Sequence, residues 1–315
     1  MIAAAGGGPR VRRDITGILL LDKPAGISSN AALQRARARF RASKAGHTGN
    51  LDVAASGLLP VCLGEATKVC GWLLDADKVY DATVRLGVRT ATGDAEGEVL
   101  EQKPVTPGMR QRLPELLSSF LGARQQVRPM YSALKRDGRP LYELARAGIE
   151  VDRAPRKINV HSLELLATAG DTATLRVKCS KGTYIRVLAE EIGEALGCGA
   201  SLEALRRLAA GPFSLDQAVT LDELWSIPSP LEAFDRLLLP ADTALGGIPA
   251  VVFAPSGARS LEEGRSVPLQ AAFPAGVARA YETDGRFVGL VEIGADGRAA
   301  PRRIFGRVLG MSHQS

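Results

Sequence analysis

Apolar and polar residues alternate most cleanly between Lys78 and Leu86. Tyr80, Ala82, Val84 and Leu86 share one face, and Val79, Asp81, Thr83 and Arg85 share the other. A period of two predicts a half-buried β-strand. Thr172–Cys179 repeats the pattern with Ala173, Leu175, Val177 and Cys179. Residues 15–22 form a continuous apolar run stopped by Lys23-Pro24-Ala25-Gly26, which predicts a buried strand entering a turn. Residues 57–62 are a second apolar run, also expected to be buried. Leu188, Ile192 and Leu196 recur at helical spacing and are stopped by Gly197. Leu202, Leu205 and Leu208 lie three apart, so a further helix is expected over 201–209, closed by Gly211-Pro212. Helices are also expected over 30–42 behind a Ser28 or Ser29 cap, and over 67–74, 107–121 and 141–147. Thr220-Leu221-Asp222-Glu223 is a capping box. Residues 125–135 are expected to be extended because Pro129 opposes a helix there, and Gly93-Asp94 and Glu96-Gly97 punctuate a turn.

Strands and helices do not alternate strictly, which favours an α+β fold over a doubly wound parallel sheet. A chain of 315 residues suits two domains. The expected division is a disordered glycine-rich lead-in over 1–13, a main domain over 14–227, a proline-dotted linker over 228–249, and a small β-rich domain over 250–315 with a strand near 286–293. No apolar run approaches the roughly 20 residues that span a bilayer. The first residues lack the apolar core of a secretory signal, so the expected location is cytoplasmic. Cys62, Cys70, Cys179 and Cys198 form no C-x-x-C pair and there are three histidines, so no metal site is expected and the thiols are read as reduced. Nothing in the pattern calls for more than one copy of the chain.

Charge changes the picture through its distribution. The first 50 residues carry nine Arg or Lys against two Asp, and residues 124–157 carry nine against four acids, while the whole chain is only +6. Two concentrated basic regions point to a polyanionic partner, most simply nucleic acid. Lys23, Arg35, Arg39 and Lys44 are the candidate phosphate contacts in the first region.

The candidate chemistry centres on Ala45-Gly46-His47-Thr48-Gly49-Asn50-Leu51-Asp52-Val53-Ala54-Ala55-Ser56-Gly57. One carboxylate, Asp52, sits in a glycine-punctuated loop where another molecule's close approach is sterically easy. Read alone, Asp52 is equally suited to capping the next turn. Several blocks beyond this loop decide between the two. Leu20-Leu21-Asp22-Lys23-Pro24-Ala25-Gly26, Lys78-Val79-Tyr80-Asp81-Ala82, Met130-Tyr131-Ser132-Ala133-Leu134-Lys135 with Gly138-Arg139-Pro140-Leu141-Tyr142, Lys181-Gly182-Thr183-Tyr184-Ile185-Arg186, and Leu205-Arg206-Arg207-Leu208 follow in order over residues 15–213. Together they resemble the motifs of the TruB family of tRNA pseudouridine synthases. Asn50, Val53 and Arg128 depart from that pattern, and none of the three removes a reacting group.

The resemblance implies a mixed, largely antiparallel sheet of pseudouridine-synthase type with flanking helices, and a C-terminal PUA-like RNA-binding domain. It implies isomerisation of uridine to pseudouridine at position 55 in the T-loop of tRNA, without a cofactor. Asp52 would be the catalytic residue, with Arg186 as its charge partner. Tyr80 would stack on the flipped base, and Tyr184, Leu205 and His47 would contact the nucleotide. The partner would be the T-arm stem-loop of tRNA, met by a single chain. A non-catalytic RNA-binding or tRNA-folding protein on the same fold is the alternative, and a nucleobase glycosylase is a second.

Overall fold

The computed structural model describes residues 12–131, 135–136, 139–140, 143–144, 147–149, 151–228 and 232–306. Most of the expected lead-in, most of the expected helix over 141–147, the motif residues Ser132, Ala133, Leu134, Gly138, Leu141 and Tyr142, and the last nine positions of the expected C-terminal unit lie outside the described residues.

The two apolar runs become neighbouring strands, Gly17–Lys23 and Ser56–Leu63, paired antiparallel. They are apolar throughout because both faces are covered. Leu19 and Leu21 pack with Ala32, Leu33, Ala36 and Phe40 of the helix Ser29–Phe40. Ile18 and Leu20 pack on the opposite side with Leu73 and Leu245. Ser28 is the cap that starts this helix, accepting from the Ala31 N–H.

These strands belong to an eleven-stranded mixed sheet. Its order is Val219–Thr220, Gly17–Lys23, Ser56–Leu63, Ala200–Ala210, Lys78–Leu86, Thr172–Cys179, Arg156–Ala169 and Gly122–Gln126, with three short strands paired off this path. Two pairings are parallel, Gly17–Lys23 with Val219–Thr220 and Ser56–Leu63 with Ala200–Ala210, and the others are antiparallel. The inward residues Ala82, Val84, Leu86, Leu175 and Val177 meet Leu188, Ile192 and Leu196 of the helix Ile185–Leu196 and Leu113 and Leu117 of the helix Pro107–Ser118. The Thr220 capping box forms in both directions.

Residues 201–209 correct the expected helix. They lie within the strand Ala200–Ala210, at the centre of the sheet. A register shift between Leu202 and Ala204 inserts an extra residue, so Leu202 and Leu205, three apart, face the same core. A bulged strand therefore imitates helical spacing, and pairing on both sides outweighs the helix propensity of Leu, Glu, Ala and Arg.

Within the proline-dotted 228–249 segment, residues 234–245 are packed where a linker was expected. Phe234 is buried against Phe40, Leu238–Leu239 pairs with Gly17–Lys23, and Ala241 and Leu245 enter the core. Arg13, at the end of the expected lead-in, is held by Asp235. After this segment comes a five-stranded sheet in the order Ala250–Phe253, Gly276–Glu282, Phe287–Ile293, Arg298–Ile304 and Val267–Pro268. Leu290 and Phe305 pack in one cluster with Ile18 and Leu58 of the larger sheet and with Leu73. No described helix is long and apolar enough to cross a membrane.

At Gly57 backbone geometry leaves little freedom. Its φ is +103°, and a Cβ there would lie 2.3 Å from the carbonyl oxygen of Arg207 on the neighbouring strand. Gly264, with φ +82°, has open space around the same position. Gly57→Ala is expected to lower stability by at least about 2 kcal/mol more than Gly264→Ala. Urea unfolding of the two variants measures the difference.

Candidate active site

The loop bearing Asp52 is tied down at several points before its side chain does anything. Ser29 Oγ accepts from the Leu51 N–H at 2.8 Å and donates back to the Leu51 carbonyl at 3.1 Å. The Asp52 carbonyl accepts from the Ala55 N–H, and the Val53 carbonyl accepts from the Gly26 N–H. Gly49 adopts φ +135°, and Gly57 at the loop's far end is the strained position described above. Gly46 needs no such freedom, since it pairs as an ordinary strand residue with Cys62.

The carboxylate projects toward the first turn of the helix Ile185–Leu196. Asp52 Oδ2 lies 3.1 Å from Arg186 Nη2, with the acid 49% exposed and the arginine 8%. The guanidinium is almost saturated. Nη1 donates to the Thr92 carbonyl and to Asp94 Oδ2, each at 3.1 Å, and Nη2 donates to the Tyr131 carbonyl at 2.8 Å. A side chain with this many fixed partners presents its remaining donor in one direction. Asp94 is itself held by the turn that the sequence marks with Gly93, where Thr92 Oγ1 and the Glu96 N–H donate to its other oxygen. The helix start is fixed from a further strand. Gln126 is buried, accepts from the Tyr184 N–H at 2.8 Å and donates to the Tyr184 carbonyl at 3.1 Å.

A cleft of about 350 Å³ opens beside this pair, and Asp52, Lys78, Tyr80, Tyr184, Arg186, Leu205 and Arg207 all line it. Burial raises the Tyr80 phenol above its ordinary pKa, with the Arg207 charge opposing, so the hydroxyl stays protonated. Five of the expected site residues, Asp52, Tyr80, Tyr184, Arg186 and Leu205, are thus brought to one cavity. His47 is not in its lining. It sits on the strand Ala45–His47 with a buried Nδ1 that has no partner among the described residues. Burial, and then the Arg207 charge, lower its pKa, so it is neutral at pH 7.

Two of the four expected phosphate contacts are corrected. Lys23 is 0% exposed. Its Nζ donates to the carbonyls of Ile27 at 2.7 Å, Pro24 at 2.9 Å and Val53 at 3.5 Å, so it knits the turn to the Asp52 loop. Arg39 donates to the Leu224 and Ile227 carbonyls and lies 4.0 Å over the Phe234 ring, which makes it a clasp between helices. Arg35 and Lys44 are exposed. Residue type and local charge could not separate these pairs, because the distinction rests on which carbonyls the fold brings within reach. Asp94 and Gln126 were missed as well. The Thr92-Gly93-Asp94 turn signal was visible, but its target was not. Among the described residues, no group of three or more His, Cys, Asp or Glu could hold a metal ion.

Comparison with known proteins places this geometry. Residues 37–185 match the family model described as TruB family pseudouridylate synthase (N terminal domain). Residues 186–246 match the tRNA pseudouridylate synthase B C-terminal domain, and residues 249–305 match Pseudouridine synthase II TruB, C-terminal. The tRNA pseudouridine synthase B of Stutzerimonas stutzeri is 54% identical over 297 residues, covering 94% of this chain and 97% of that protein. That of Pseudomonas fluorescens strain Pf0-1 is 52% identical with the same coverage. Among solved structures, a Cbf5-Nop10-Gar1 complex has a chain 28% identical to this one, with a TM-score of 0.68 over 89% of this chain and 79% of that one.

The buried lysines make stability depend on pH. Lys23 and Lys78 are each lowered by burial from 10.5 to about 8. Between those values the unfolded chain holds more protons than the folded one, so these groups make stability rise with pH across that window. A Lys23→Met variant should show a shallower rise than the parent in urea unfolding between pH 8 and 10. It should also lose about 1–3 kcal/mol overall from the carbonyls left unpaired.

Proposed function

The chain belongs to the TruB family of pseudouridine synthases and is a tRNA pseudouridine synthase, an isomerase; from that premise we propose that it converts the T-loop uridine at position 55 of tRNA and that Asp52 starts the reaction. The observation that carries this is a half-exposed carboxylate at the edge of a cleft, 3.1 Å from a buried guanidinium that is immobilised by three other partners.

The chemistry needs little else. The C1′–N1 bond of uridine breaks and a C1′–C5 bond forms, so atoms and electrons balance within the substrate, with a proton leaving C5 and one gained at N1. Attack at C1′, attack at C6 and removal of a sugar proton all begin from a carboxylate oxygen, which Arg186 orients. The base reaches that oxygen only after leaving its stack. The 350 Å³ cleft receives it, with Tyr80 and Leu205 as walls and Tyr184 at its side. The protonated phenol of Tyr80 suits stacking on an uncharged base, and its place in the cleft lining puts it beside the C5 that must lose a proton. Exposed Arg35 and Lys44 supply phosphate contacts, which set register on a stem-loop read mainly by shape.

The test is to incubate the protein with an unmodified tRNA transcript and map pseudouridine chemically, beside Asp52→Asn. The variant should lose turnover while RNA affinity stays within a few-fold, and the RNA mass should not change. Appreciable turnover by the variant would reassign Asp52, and release of free uracil would make the protein a glycosylase. Arg186→Ala should reduce turnover by about 10²-fold or more, because the acid loses its orienting charge. Tyr80→Phe should bind RNA normally and turn over slowly.

A further inference from the structure

Three cations lie buried around the cleft with no carboxylate at ion-pair distance among the described residues. Lys78 is satisfied by the carbonyls of one turn, those of Leu73, Leu74 and Ala76, and Lys23 by those of Pro24 and Ile27 in its own turn, with Val53 of the Asp52 loop at 3.5 Å. Arg207 differs. It is 1% exposed, lines the cleft, and sits on the central strand opposite both Gly57 and Tyr80. Its Nε donates to the Leu58 carbonyl at 2.7 Å, while Nη1 and Nη2 reach the carbonyls of Asn50 and Gly49 at 3.4 Å. Leu58 follows the Asp52 loop and Gly49 and Asn50 precede its acid, so one guanidinium bridges both ends of the loop.

The surrounding geometry accommodates that bridge. Gly57 lacks the Cβ that would strike the Arg207 backbone, and a Cβ on Gly49 would stand 3.4 Å from Nη1. The planar fork reaches carbonyls in two directions at once, which an ammonium at the end of a flexible stem does not do. The loop's other ties, from Ser29, Gly26 and Lys23, come from the Gly17–Lys23 side and hold Leu51 and Val53. Arg207 is the tie that comes from the cleft side.

We infer that Arg207 is a positioning residue for the reaction, its buried guanidinium clamping the two ends of the Asp52 loop so that the carboxylate stands against Arg186 at the distance catalysis requires. This rests on the reading of Asp52 given above. Arg207 acts through the loop backbone and makes no contact of its own with the carboxylate. Its loss should therefore appear in the chemical step and leave RNA binding unchanged, since a displacement of about 1 Å at a reacting group costs about 10²-fold in rate.

The experiment compares Arg207→Gln and Arg207→Lys with the parent and with Asp52→Asn. It measures melting temperature, RNA affinity, single-turnover rate and the NMR titration of His47, whose pKa the Arg207 charge lowers. Both variants should turn over about 10²-fold more slowly with RNA affinity within about three-fold of the parent, because the lysine keeps the charge and loses the fork. The His47 pKa should rise in Arg207→Gln and stay low in Arg207→Lys. Turnover near the parent rate, a loss confined to RNA affinity, or an unmoved His47 titration in Arg207→Gln would each overturn the assignment. If Arg207→Gln does not fold, Arg207→Lys decides by rate and affinity, and a lysine variant that also fails to fold would make Arg207 a scaffold residue and overturn the proposal. Turnover retained by Asp52→Asn would sink the reading of the acid itself, whereas an inactive Asp52→Asn beside active Arg207 variants would sink only the clamp.

Discussion

One guanidinium organises the active end of this molecule. Arg186 is buried at the start of a helix, and a cation in that position is costly unless its donors are filled. Two carbonyls and Asp94 fill most of them, and the remaining direction belongs to Asp52. The arrangement draws the 92–94 turn, Tyr131 and the helix start to one point, so three separated parts of the chain meet where the Asp52 carboxylate is held. The other side of the acid stays exposed.

The sheet explains how those parts meet. Ala200–Ala210 runs between Ser56–Leu63 and Lys78–Leu86, which places Leu205 and Arg207 beside Tyr80 and next to the loop that carries Asp52. A bulge near Glu203 sets which residues of that strand face the cleft. Polar backbone supplies the rest of the support. Lys23, Lys78 and Arg207 all donate to backbone carbonyls, which need donors where they are buried. Basic residues of the chain thus fall into two groups. Some stiffen the site from within, whereas Arg35 and Lys44 stay exposed at the surface.

Much of this was legible in the chain. Alternation over 78–86 and 172–179, the apolar runs before Lys23 and after Ser56, the Ser28 cap and the Thr220 capping box became the elements they predict, because each signal is local and reinforced by its neighbours. The glycine-rich loop and the block order led to Asp52, Tyr80, Tyr184, Arg186 and Leu205, and these do share one cleft. The 201–209 strand was illegible because a bulge and a helix produce the same spacing of leucines. The 228–249 segment was misread because proline content says nothing of where Phe234 and Leu238 find partners.

The residue types, their order and the local turns were set by sequence alone, since backbone geometry at glycine, capping and period-two patterning act over a few residues. Tertiary structure decided which cations are free. Lys23 and Arg39 look the same in sequence as Arg35 and Lys44, and only the fold brings carbonyls to the first pair and water to the second. It also decided that Asp94, Gln126 and Arg207 stand behind Asp52 and Arg186, because a hydrogen bond between residues dozens of positions apart exists only once the sheet has closed the distance.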